Sequence, residues 1–158
     1  MKRHSLPAHL ATLSAAFWVG GTWAIGYLAV PVLFRMQPDR QLAGMLAGHM
    51  FTAMAYVGIV CALFLLAYLW RTAARPLWRH PAFMAALAML LLVLVGEFII
   101  QPIMADLKLR ALPLEVMHSE LAAQFKALHG TASVLYLLQS LLGIVLLVKL
   151  PAAGKVTG

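Results

Sequence analysis

Residues 82–103 read AFMAALAMLLLVLVGEFIIQPI, an apolar run of 22 residues broken by a single charged side chain, Glu97. About 20 such residues carry a helix across the hydrocarbon core of a bilayer. Uncharged runs of that length mark membrane spans rather than buried helices of soluble domains. Working outward, three more stretches qualify: residues 10–34, 50–70 and 130–148. The alternation expected of barrel strands is absent, and lipid leaves every other backbone group to be satisfied within a helix. The expected fold class is therefore all-α, an integral membrane four-helix bundle, with residues 1–158 forming one membrane domain. No internal repeat and no low-complexity tract is evident in the sequence.

Composition agrees with this. The chain is 63% apolar or aromatic and 11% charged over 158 residues, against roughly 45–50% and about 25% in a soluble domain. A chain this short cannot hide that much apolar surface in one core. Disorder is excluded too, since it requires low hydrophobicity. The net charge of +7 does not point to nucleic acid, because the basic residues flank apolar runs instead of forming a stripe. A lone cysteine, Cys61, sits within a span and rules out an intramolecular disulfide. The opening Met1-Lys2-Arg3-His4 resembles a secretion signal, but the apolar run behind it extends to Phe34. Signal cores stop at roughly 7–15 residues, so a retained helix is expected.

Basic residues set the expected orientation. Lys2, Arg3, Arg71, Arg75, Arg79, Lys149 and Lys155 fall on one side, seven against the five on the other: Arg35, Arg40, Lys108, Arg110 and Lys126. Positive-inside then places both termini in the cytoplasm. On the outer side, residues 104–129 are expected to form a helical extension of the third and fourth helices beyond the bilayer. Pro102 and Pro113 punctuate it. A fourth helix from Leu114 to Val148, with Leu114, Met117, Leu121, Phe125 and Leu128 on one face, would measure roughly 52 Å.

Small residues predict helix contacts. Ala16, Gly20 and Ala24 recur every four residues beside Gly21, and Gly44, Gly48 and Thr52 repeat the pattern in the second span. Such spacing lets backbones approach closely in lipid. Packing within one bundle is the plainer explanation; a seam between copies or a groove for a partner is the other. In the fourth span His129, Ser133, Tyr136, Ser140 and Gly143 share a face expected to point inward and to donate hydrogen bonds between helices.

Glu97 is the one acid inside a span, and an intramembrane carboxylate requires a partner. Arg35, His49, Glu97, Gln101 and His129 all fall within about one or two turns of the outer boundary, so they form the candidate polar cluster. His129 is the first expected partner of Glu97, His49 the second and Arg35 the third. The plain reading is a network that fixes helix register. Sharper readings are a proton- or cation-handling site, a copper-type site using Met45, His49, Met104, Met117 and His118, or a haem between His49 and His129. No metal site and no cofactor is assigned. No paired nucleophile and base, no metalloprotease helix and no phosphate loop is present, so an enzyme is not expected.

The run Trp18-Val19-Gly20-Gly21-Thr22-Trp23, followed by Ala29-Val30-Pro31-Val32-Leu33-Phe34, resembles the opening of the transmembrane protein 205-like family, also called domain of unknown function 4149. So do Pro38-Asp39-Arg40, Ala43-Gly44, Gly48 to Phe51, Gly96 to Pro102, and Phe125 through His129-Gly130 to Ser133. The pattern is most similar to the bacterial inner-membrane branch, which implies a multi-pass protein of a bacterial inner membrane. The resemblance implies a compact four-helix membrane protein with no settled activity, and it carries over Arg35 and His129 best. The expected function is a structural or accessory membrane component. Its expected surroundings are the lipid bilayer and a second copy or another membrane protein; nucleic acid is not an expected partner. The alternative is a small metal- or proton-handling transporter using Glu97, His49 and His129.

Overall fold

Long Leu-, Val-, Ala- and Met-rich runs can satisfy their backbones in an apolar medium only by coiling into helices. The structure, a computed structural model, describes residues 6–72 and 76–153, with side chains through residue 150. It contains four long helices: α1, Leu6–Met36; α2, Arg40–Thr72; α3, Pro81–Ala111; and α4, Ala122–Ala153. Each is long and apolar enough to cross a membrane, and no strand occurs among the described residues. The chain is thus all-helical and has the form of a multi-pass membrane protein. Among the basic residues used for orientation, Lys2, Arg3, Arg75 and Lys155 lie outside the described residues.

Local chemistry sets the helix ends. Gln37 is extended, with φ −93° and ψ 112°, as the residue before a proline must be. Asp39 then caps α2, its Oδ1 accepting the N–H groups of Gln41 and Leu42 at 2.9 and 3.0 Å. So short a connection makes α1 and α2 antiparallel neighbours. Pro81 opens α3 at a position where its missing N–H costs nothing.

The main helix contacts run α1–α2, α2–α3, α3–α4 and α4–α1, a closed ring. The connections at 37–39 and 112–121 share one end of it, here the distal end; the segment 76–80, just before α3, marks the proximal end. The core is densest in the proximal half, where Trp18, Leu65, Leu69, Met89 and Leu146 are fully buried. Glycines seat single large side chains there. A Cβ on Gly58 would lie 2.5 Å from Trp18 Nε1, and one on Gly143 2.9 Å from Val19 Cγ1. Phe17, Val60, Leu91, Val134 and Val148 are exposed around the outside, as a lipid-facing girdle requires.

One expectation about the distal end is corrected. α3 runs through Pro102 to Ala111, but the fourth helix begins at Ala122 instead of Leu114. Before it, a short 3₁₀ turn spans Val116–His118, and Ser119 organises the start: its hydroxyl donates to the Val116 carbonyl at 2.8 Å and accepts the Leu121 N–H at 3.2 Å. Pro113 and this serine turn outcompete the apolar periodicity of residues 114–121. The amphipathic face of the expected extension therefore splits, with Leu114 and Met117 exposed and Leu121, Phe125 and Leu128 half-buried.

α3 passes through its proline because the preceding turn is widened. Over Gly96–Ile100 the helix adopts π geometry, and the Gln101 N–H bonds back five residues to the Gly96 carbonyl. α1 does the same over Ala24–Ala29, with the Val30 N–H bonded to the Ile25 carbonyl and Pro31 next. An α-helical proline ring collides with the carbonyl four residues back; one extra residue in the turn relieves it. One carbonyl is then stranded in each helix. Gly26 and Glu97 have lost their usual donors to the residue before them, and the next residue that could reach them is the proline.

Candidate functional site: a polar layer at two widened turns

At 1.5 Å per residue, the widened turn of α1 lies roughly 14 Å from the distal end of its helix and that of α3 about 20 Å. Polar side chains of the bundle interior gather around these depths.

At the α1 turn, a tyrosine from α4 is driven into the helix. The Tyr136 hydroxyl donates to the Thr22 carbonyl, and the backbone of Gly26 interacts with the same phenol. A side chain inserted into the hydrogen-bond ladder is a recognised cause of such distortion. Gly26 makes the insertion feasible: a Cβ there would lie 2.3 Å from Tyr136 Cε1. Around the ring, Phe51 packs edge-on at 5.2 Å between centroids and Tyr27 at 6.2 Å. The Tyr27 hydroxyl donates to Ser140 Oγ at 3.0 Å, and Ser140 donates to the Tyr136 carbonyl at 2.9 Å. Every hydroxyl here has a partner.

At the α3 turn, Glu97 is half-buried and accepts one hydrogen bond, from Thr52 Oγ1 of α2 at 3.2 Å. Tyr56 and Phe98 meet edge-on below it, 6.4 Å apart. Gln101 Nε2 lies 3.9 Å from the place a Cβ on Gly48 would occupy, and the corresponding place on Gly96 is open space. The expected basic partners are absent from this site. The ion pairs among the described residues, Asp106–Arg110 at 2.8 Å and Glu115–His118 at 3.4 Å, are both in the distal region.

The five-residue cluster therefore divides. Glu97 and Gln101 line the α2/α3 side, whereas Arg35, His49 and His129 are exposed towards the distal end. His129 stacks on Phe125 at 6.2 Å instead of meeting Glu97, and Lys108 Nζ lies 5.6 Å from the centre of that Phe125 ring. Because α3 runs on to Ala111, Glu97 sits about 8–10 Å deeper than the histidines. The transport reading needed Glu97, His49 and His129 together, and they are not. No group of three His, Cys, Asp or Glu side chains suited to a metal occurs among the described residues. Met45 and His49 are exposed while Met104 is buried, so the thioether set does not converge either.

The shared face of α4 is correct only in part. Tyr136, Ser140 and Gly143 turn inward, but His129 and Ser133 are exposed, and Ser133 bonds the His129 carbonyl of its own helix at 2.9 Å. No neighbouring helix covers the face there. Of the small residues, Gly21 lies under Met54, with 2.7 Å from a would-be Cβ to Sδ. Gly44 has only Phe34 at 3.9 Å, and Gly20 has nothing within 4 Å. Sequence reasoning passed over Gly26, Thr22 and Tyr27; their signal is a glycine five residues before Pro31 within a span.

Chemically, the α1 side is a closed hydrogen-bonded wedge, and the α3 side presents an unmatched carboxylate beside a stranded carbonyl. Neither holds a nucleophile next to a base. No curated protein and no solved structure matches the chain significantly. The sequence pattern of Domain of unknown function (DUF4149) matches residues 13–112, from α1 to the end of α3. The chain belongs to this family.

Proposed function

We propose that the chain is a non-enzymatic component of a bacterial inner membrane, of the transmembrane protein 205-like kind, with both termini in the cytoplasm. It acts through helix-surface contacts with a second copy or another membrane protein. The polar layer supports this: the hydroxyls of Thr22, Tyr27, Thr52, Tyr136 and Ser140 are engaged in helix-to-helix or local backbone bonds. The observation that carries the reading is the face of α1 bearing Ala16, Gly20 and Ala24. All three are exposed, and Gly20 has nothing within 4 Å of a would-be Cβ. A small-residue seam suited to close backbone approach is thus left unused inside the chain.

Gly20→Leu tests this directly. Wild-type protein in membranes should give a cross-linked species larger than the chain, and the variant should lose most of it. Because the position is open, helix content and the unfolding midpoint in detergent should not change. A wild-type chain that stays monomeric in membranes, or a Gly20→Leu chain that assembles equally well, overturns the reading.

A further inference from the structure

We propose that the groove between the proximal ends of α2 and α3 holds an acyl chain of an anionic phospholipid, with the Arg71 guanidinium on its phosphate. The groove measures about 470 Å³ and is lined by Leu66, Ala67, Trp70 and Arg71 of α2 and Phe83 of α3. Sites for small molecules have this size and make-up, an apolar wall with a few polar groups that orient the ligand. Hydrocarbon is what a bilayer offers to such a wall. Arg71 stands one residue before the end of α2 at Thr72, at the level where an apolar helix leaves the membrane. From there a long side chain lies along apolar surface and keeps its charge among the headgroups. Trp70, at the end of α2, and Trp78, just before α3, are 70% and 74% exposed, and exposed indoles mark the headgroup level. The groove therefore has an apolar wall and a cationic rim at the depth where a phospholipid has chain and phosphate.

Charge decides which lipid fits. Arg71, Arg79 and Lys149 are exposed at the proximal end, and no acidic residue accompanies them. The five acids of the chain are Glu97, deep in α3, and Asp39, Asp106, Glu115 and Glu120 at the distal end. A distal basic residue can be neutralised in place, as Arg110 is by Asp106 at 2.8 Å. At the proximal end the neutralising charge comes from outside the chain. A phosphate supplies it, since a guanidinium matches phosphate oxygens in a bidentate fork. A zwitterionic lipid also brings an ammonium group, which meets only like charges here and no carboxylate. Basic pockets between membrane helices bind anionic headgroups on this principle. A second copy in the same orientation would bring its own proximal arginines to the groove, like charge against like. A second groove of about 520 Å³, between α1 and α2, gives the contrast: Leu10, Leu13, Ser14, Phe17 and Phe64 line it without any charge, so it can take hydrocarbon but cannot select a headgroup.

The test uses the full chain, delipidated in detergent and titrated in native mass spectrometry with dioleoyl phosphatidylglycerol or dioleoyl phosphatidylcholine, whose acyl chains are identical. Phosphatidylglycerol should be retained on the chain at concentrations where phosphatidylcholine is not. Arg71→Gln should weaken that binding about fivefold, the effect of one basic residue at an anionic lipid surface. Ala67→Phe fills the groove from an exposed position and should weaken it as much with Arg71 still present. Lys126→Gln removes an exposed distal charge and should bind like wild type. Equal retention of the two lipids by wild type overturns the proposal. So does phosphatidylglycerol binding that survives in well-folded Arg71→Gln or Ala67→Phe, or that falls equally in Lys126→Gln and so follows net charge alone. A lipid-free dimer that Ala67→Phe dissociates would give the groove to a second copy, and overturns it too. Gly20→Leu alters the assembly seam of α1 and should keep the lipid, so a failure of one idea is not a failure of the other.

Discussion

The widened turn of α1 and the widened turn of α3 solve the same problem and are put to different uses. Each admits a proline within a long apolar helix, and each strands one carbonyl just before it. In α1 the consequence is absorbed by packing, because Tyr136 enters the turn over Gly26 and its hydroxyl bonds Thr22. In α3 no side chain enters over Gly96, where nothing lies within 4 Å of a would-be Cβ, and Glu97 takes a hydrogen bond from Thr52 of α2. The backbone device is shared; what faces it differs. π-turns often mark functional sites, and here only the unfilled one has free chemistry.

The largest expected effect is at the filled turn. Gly26→Ala places a methyl 2.3 Å from Tyr136 Cε1, which forces the ring out of the turn and costs about 1–3 kcal/mol, the usual penalty of overpacking. Gly96→Ala meets nothing within 4 Å and should gain about 0.5–1 kcal/mol from the better helix former. Denaturation of purified protein in detergent reads both. Equal losses at the two glycines would mean the α3 turn is filled after all.

Hydroxyl removal gives a smaller contrast. Tyr136→Phe keeps the ring but removes its hydrogen bond to the Thr22 carbonyl, at a cost of about 0.5–1.5 kcal/mol. Thr52→Val takes one donor from Glu97, and interhelical hydrogen bonds in membranes average about 0.6 kcal/mol. The same denaturation curves rank them, and a costlier Thr52→Val would reverse the comparison.

The four spans were legible because lipid imposes a length and a composition that few residues can disguise. Helix ends were less so. Pro102 looks like punctuation, and only the widened turn, invisible in composition, lets α3 continue to Ala111. The same blind spot misplaced the site. Glu97 stood out as the one acid in a span, but its depth was counted from the apolar boundary and not from the true helix end, so the histidines seemed level with it. The likeness of the two turns was hidden because Ile25 to Pro31 and Gly96 to Pro102 have the proline in common and little else. Tyr136 could be assigned to an inward face, but its insertion into α1 is a tertiary contact with no local signature.

The finest distinction comes from the prolines themselves. Closing the α3 turn to regular α-helix would rotate everything after it by about 100°, carrying Met104, Leu107 and Ala111 off the buried face they now occupy. Closing the α1 turn would expel Tyr136. Neither turn is therefore expected to close when its proline is replaced, and alanine simply returns an N–H within reach of the stranded carbonyl. Pro31→Ala and Pro102→Ala should each stabilise the chain by about 0.5–1.5 kcal/mol, one hydrogen bond apiece. Denaturation of the two purified variants in detergent reads both gains against wild type, and a loss in either would mean that the carbonyl before its proline already has a donor or that its widened turn closes after all.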